Sequence, residues 1–101
     1  MEKDFLIGKL NDVYGALLTA KQTELIRQFY DDDLSLGEIA ENEGITRQAA
    51  HDAIAKGVAA LKKYEAALGL SQILDRLVAI NQSMTKDEIL GMVADILDIR
   101  E

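Results

Sequence analysis

Cysteine, proline and tryptophan are absent from this 101-residue chain, and aromatic residues make up only 5% of it. Without cysteine there is no disulfide framework, no thiolate zinc site and no cysteine nucleophile. A reducing cytoplasm fits that composition and is the expected location. With no proline and seven glycines, sharp turns are few and elements run long. No uncharged apolar run approaches the ~18–20 residues of a bilayer crossing, so membrane insertion is not expected. The opening Met1-Glu2-Lys3-Asp4 sets acids where a secretory leader carries bases, so no export is expected. Bases are the scarcer charge, 11 against 18 acids, for a net charge of −7. That sign is unfavourable for a protein that coats a duplex.

What is present is the balance of a globular protein, 49% hydrophobic and 29% charged. The length suits a single domain over residues 1–101 rather than a two-domain enzyme. Apolar residues recur at spacings of three and four, and no stretch alternates for long, so the class is all-α with five to six helices. The first helix is expected over residues 3–17, with Leu6, Leu10, Val13, Tyr14 and Leu17 inward. Thr19 and Gln22 form a capping box for a second helix carrying Leu25, Ile26, Phe29 and Tyr30, which ends at Asp31-Asp32-Asp33. Ser35 and Glu38 form another box, stapled by Leu34 and Ile39, for a short third helix stopped by Gly44. Thr46 caps a fourth, which continues along Ala50, Ile54, Val58, Leu61, Tyr64 and Leu68 to Gly69. Ser71 is expected to open a fifth helix. Thr85 and Glu88, stapled by Met84 and Ile89, open a sixth.

The unit with functional content spans about residues 35–63. Two helices that cross steeply need a small residue at the crossing and a glycine at the turn, and Ala40 and Gly44 stand in those places. Ile39, Ile45, Ala50 and Ile54 can pin the pair from inside. The second helix then opens with a cap and long polar side chains, as a helix-turn-helix needs to enter a major groove. Arg47 can grip guanine as a fork and Gln48 can do the same for adenine. His51 and Asp52 follow one turn later. Thr46 and its neighbouring amides suit phosphate, as do Lys56, Lys62 and Lys63 further along. Spacing alone fits equally well an ordinary αα-corner with a solvated outer face.

The run Ser35-Leu36-Gly37-Glu38-Ile39-Ala40-Glu41, then Ile45-Thr46-Arg47-Gln48-Ala49, His51-Asp52 and Tyr64-Glu65, resembles the YlxM-like family of small bacterial helix-turn-helix proteins. The resemblance extends to region four of sigma factors over about residues 22–61. It implies a DNA-binding-like core with extra N- and C-terminal helices. It also implies a regulatory part in the signal recognition particle (SRP) pathway, with SRP protein or SRP RNA as partners, because the family's genes neighbour those of SRP components. Against the family pattern, Glu43 replaces a large apolar residue beneath the turn. Ala53 and Gly57 stand where the family often has asparagine and arginine on the expected reading face.

Charge is distributed unevenly: residues 1–34 sum to −3, residues 35–63 to zero, and residues 64–101 to −4. The motif is the least acidic part, yet its four bases neutralise few phosphates, so a single copy should bind DNA weakly. A homodimer built on the first helix and the C-terminal pair, leaving residues 46–52 exposed, would present two reading helices. An acidic regulator that binds a basic protein or ribonucleoprotein, without sequence-specific DNA binding, is the alternative. Asp31, Asp33 and Ser35 mimic the start of a calcium loop, but Leu36 and Asn42 occupy the positions that need glycine and glutamate. His51 has no second histidine or cysteine beside it. No catalytic residue, metal or cofactor is therefore expected, and the chain does not read as an enzyme.

Overall fold

The computed structural model describes residues 3–80 and 85–99. Among them every regular element is helical: α1 (Phe5–Tyr14), α2 (Ala20–Ile26), α3 (Leu36–Glu43), α4 (Arg47–Leu68), α5 (Leu70–Ile80) and α6 (Lys86–Ile99). A 3₁₀ turn, Gly15–Leu17, follows α1, and a π-helical turn, Arg27–Asp31, follows α2. The chain divides into two compact units, one ending at Tyr64 and the other beginning at Glu65. No described helix is long and apolar enough to cross a membrane.

The first unit closes around Ile7, Leu10, Tyr14, Leu25, Ile26, Ile39, Ile54 and Leu61, each at most 1% exposed. On α1 the inward face is Ile7, Leu10, Asn11 and Tyr14, which differs from the expected set. Leu6 and Leu17 are exposed. The tightening of the chain after Tyr14 carries Leu17 off the helical face, and Ile7 takes the place assigned to Leu6. Asn11 is buried with them, its amide donating to the Thr23 carbonyl at 3.2 Å. Leu10 is buried within this core and so is not available to a second copy, while Val13 packs against the core and is half-buried.

Helix starts follow the local chemistry of the sequence. At Thr19 the hydroxyl accepts the Gln22 amide while the Gln22 side chain accepts the Thr19 amide, both at 3.1 Å. Ser35 and Glu38 repeat this arrangement at the same distances. Thr85 accepts the Glu88 amide at 3.2 Å; its proposed staple partner Met84 lies outside the described residues. One cap is reassigned. α5 begins at Leu70, and Ser71 lies within it, its hydroxyl donating to the Glu65 carboxylate and its amide to the same group at 3.2 Å.

Candidate nucleic-acid interface

The turn between α3 and α4 is built from its backbone outward. Gly44 adopts φ +66°, a left-handed conformation that costs an L-residue energy and glycine little. Its amide reaches the Glu41 carbonyl at 3.4 Å and the Ile45 amide reaches the Ala40 carbonyl at 3.0 Å, the two bonds of a Schellman motif. Ala40 is buried at the crossing, and Ile45 packs on the core as the chain turns. Thr46 then starts α4, its hydroxyl accepting the Ala49 amide at 3.0 Å. That hydroxyl serves first as a cap, which fixes the direction in which the next turn of side chains emerges.

Along α4, Ala50, Ile54, Gly57 and Leu61 form the buried line. Arg47, Gln48, Asp52, Lys56, Lys62 and Lys63 are exposed, and His51 is half-exposed. At 100° per residue all seven fall within half the helix circumference, with Arg47 at the edge of that arc nearest the buried line. They do not form one cluster, however. With 1.5 Å of rise per residue, Lys62 and Lys63 stand roughly 22–24 Å along the axis from Arg47, beyond the reach of one groove. The side chains near the turn are Arg47, Gln48, His51 and Asp52, with Lys56 one turn further.

Three of those four are tied together. Gln48 Nε2 donates to Asp52 Oδ1 at 2.7 Å, and His51 Nδ1 lies 3.3 Å from the same oxygen. These hydrogen bonds, from His51 first and Gln48 second, hold the Asp52 carboxyl below its ordinary range. Asp52 therefore has two effects on the face: it orders two candidate reading side chains, and it places a negative charge among them.

Two positions assigned to the reading face lie elsewhere. Gly57 is buried against α2: a Cβ there would come within 2.7 Å of Ile26 Cδ1 and 3.4 Å of Gln22 Cβ. Ala53 packs beside the core. Neither substitution strips a contact from the exposed ridge, because the glycine lets α2 and α4 approach closely. Glu43 is likewise not a simple loss. Buried Gln28, in the π-helical turn, donates to Glu43 at 3.2 Å and so ties α3 to the turn before it.

One base was not apparent in the sequence. Lys21, at the start of α2, lines a groove beside α4 with Thr19, Gln22, Asp52 and Lys56. It stands 35 positions before Lys56, and no spacing rule connects the two. On the other flank, His51, Ala55, Ala59 and Lys62 line a groove with Asp4, Ile7 and Tyr30. The exposed ridge of α4 thus stands between two grooves, with lysine on each side. Asp33, in the segment that only mimics the start of a calcium loop, pairs with Lys3. Among the described residues no three carboxylate or imidazole groups converge as metal ligands.

Comparison with known proteins agrees with this architecture. The family described as "Putative helix-turn-helix protein, YlxM / p13 like" matches residues 1–96. The UPF0122 protein of Desulforamulus reducens is 49% identical over 70 residues, 69% of this chain and 60% of that one. The UPF0122 protein of Symbiobacterium thermophilum is 52% identical over 63 residues, 62% of this chain and 59% of that one. In both cases the similarity spans under two thirds of the relative's length. A relative from Fusobacterium nucleatum is 37% identical over 95 residues, covering 90% of this chain and 92% of its own.

Proposed function

This chain belongs to the YlxM / p13-like family of helix-turn-helix proteins, and on that footing we propose that it is a cytoplasmic, DNA-binding regulatory protein. The observation that carries the reading is the start of α4. A left-handed Gly44, a Thr46 cap and a buried line on one side of the helix leave Arg47 and Gln48 exposed in its first turn. Entry into a major groove requires such an exposed first turn. Arg47 grips a guanine edge, and Gln48 reads adenine once it exchanges its bond to Asp52 for the base. Lys56 and Lys21 hold the phosphates on one side, with Lys62 and Lys63 reaching backbone further along the duplex. The role is binding, with no catalysis assigned to any side chain.

With so few bases on a body of net charge −7, affinity for a single copy is modest and its salt dependence is shallow, set by the few phosphates it neutralises. Fluorescence anisotropy on a panel of duplexes at low salt tests the proposal. Arg47→Ala is expected to cost roughly 1–3 kcal/mol on a preferred sequence and less on others. Lys56→Ala is expected to weaken all sequences alike and to reduce the salt slope by about one. Absence of binding to any duplex at tens of micromolar would falsify the proposal.

The acidic flanks support a second reading, a regulator of SRP components that meets a basic protein or ribonucleoprotein surface. Complementary charge would steer that encounter. Gly57 and Ala53 do not weigh toward it, since they lie off the exposed ridge. Affinity capture from lysate with and without nuclease separates the two readings. DNA fragments without any SRP component favour the first, and an SRP component retained after nuclease favours the second.

A further inference from the structure

The second unit carries more exposed apolar surface than two short helices can sustain. α5 and α6, of 11 and 14 residues, pack on each other, and Arg76 and Asp95 join them by an ion pair at 3.1 Å. Ile73, Ile80, Ile89, Met92 and Ile96 are half-buried. Yet Leu74, Leu77 and Val78 on α5 remain 39%, 47% and 64% exposed, and Leu90, Val93 and Leu97 on α6 remain 56%, 41% and 60% exposed. Isolated helices of this length are marginal in water, and a unit this small cannot afford to leave its apolar stripe wet.

We propose that this stripe is covered by the same stripe of a second copy, two α5–α6 hairpins closing into a four-helix bundle about a two-fold axis. Three features select that occupant. The residues recur at spacings of three and four on both helices, the repeat by which helices interlock side by side. The acids Asp75, Asp87, Glu88, Asp95 and Asp98 lie about a quarter to half of a helical turn away from the stripe. The one charged position on its line, Lys86, is at the very start of α6, so the apolar parts of two identical surfaces can meet without opposed acids. Complete burial of the six exposed side chains in both copies would remove about 1,000 Å² from water, the lower bound for a biological interface and short of the roughly 1,200–2,000 Å² of the stable ones. An isologous pair needs no other complementary partner. The inference is independent of DNA binding, since none of these residues belongs to the α4 ridge.

The full-length chain tests it. Sedimentation equilibrium is expected to give twice the 11.1 kDa chain mass at high micromolar concentration. Because the chain lacks cysteine, Val78→Cys offers a unique site for a spin label. Pulsed electron resonance should then report an intermolecular distance below about 40 Å, within a bundle only two helix diameters wide. Val78→Glu is expected to raise the dimer dissociation constant at least about tenfold with helical circular dichroism retained, because it buries an unpaired charge. If that variant loses helicity, Val78→Thr, which keeps the branched shape, should remain folded and raise it about three- to tenfold. A folded wild-type monomer at high micromolar concentration overturns the proposal. So does a dimer whose dissociation constant is unchanged in the folded Val78 variant, or one without the short label distance.

Discussion

Replacing Gly44 with alanine tests the geometry of the turn without disturbing its packing. The residue sits at φ +66°, and a Cβ built there meets nothing within 4 Å. Steric repulsion with neighbours is therefore absent and only the backbone term remains. An L-residue held left-handed costs roughly 1–2 kcal/mol. Part of this is offset because alanine also restricts the unfolded chain, by about 0.4–1 kcal/mol. The expected net loss is about 1 kcal/mol, or ~4–8 °C in melting temperature for a unit of this size. Gly44→Asn should lose about half as much, since asparagine tolerates the left-handed region. The assay can be confined to the first unit. All three tyrosines, Tyr14, Tyr30 and Tyr64, precede Glu65, and the chain has no tryptophan, so tyrosine fluorescence and near-ultraviolet circular dichroism during urea unfolding report on that unit alone. A Gly44→Ala variant as stable as the parent, or an asparagine variant less stable than alanine, would refute the left-handed turn and with it the present aim of α4.

Asp52 supplies a second prediction. Asp52→Asn keeps an oxygen for Gln48 but removes a negative charge from among the candidate reading side chains, where it would repel the phosphates of a bound duplex. Duplex affinity in anisotropy titrations should rise, and unchanged or weaker binding would remove Asp52 from the interface. By carbon-13 NMR its carboxyl should titrate below the ordinary 3.8. Its native hydrogen bonds therefore contribute fully above that value and are lost as pH falls through the lowered one. Leu10→Ala should destabilise the first unit by ~2–5 kcal/mol in urea unfolding, because Leu10 is 1% exposed in its own core. A loss under 1 kcal/mol would place that side chain outside the core.

The caps and the turn were legible because they are local. A serine or threonine three residues before a glutamine or glutamate, or a glycine after the last apolar position, encodes its hydrogen bonds within one helical turn. The start of α4 with its exposed Arg47 and Gln48 was legible on the same grounds. The choice of Ile7 over Leu6 was not. The two lie 100° apart at the edge of one apolar arc, and the neighbouring helices decide which is buried. Gly57 was misread because a residue without a side chain leaves no mark on a hydrophobic pattern, so only the proximity of Ile26 reveals its face. Lys21 joins Lys56 through the crossing of α2 and α4, which sequence spacing does not encode. Val13 and Leu17 followed helical periodicity, but the 3₁₀ turn at Gly15 ended that periodicity before Leu17.

The π-helical turn at Arg27–Asp31 has a consequence for the length of the chain. The Asp32 amide bonds to the Arg27 carbonyl five residues back, so this stretch holds about one residue more than an α-helix of the same rise would. In a regular helix the fifth residue onward sits about 140° around the axis. Here the added girth brings Asp32 to 2.7 Å from the same guanidinium that binds Glu24 at 2.6 Å. Arg27 therefore acts as a buckle whose two ends meet only while the extra residue is present. Excising one residue between Arg27 and Asp31 would return the strand of backbone to ordinary pitch and unfasten Asp32. Gln28, which reaches across to Glu43, would rotate out of register in the same step. Insertions and deletions among relatives that preserve the fold should accordingly avoid this turn, as they avoid the tightly specified turn at Gly44.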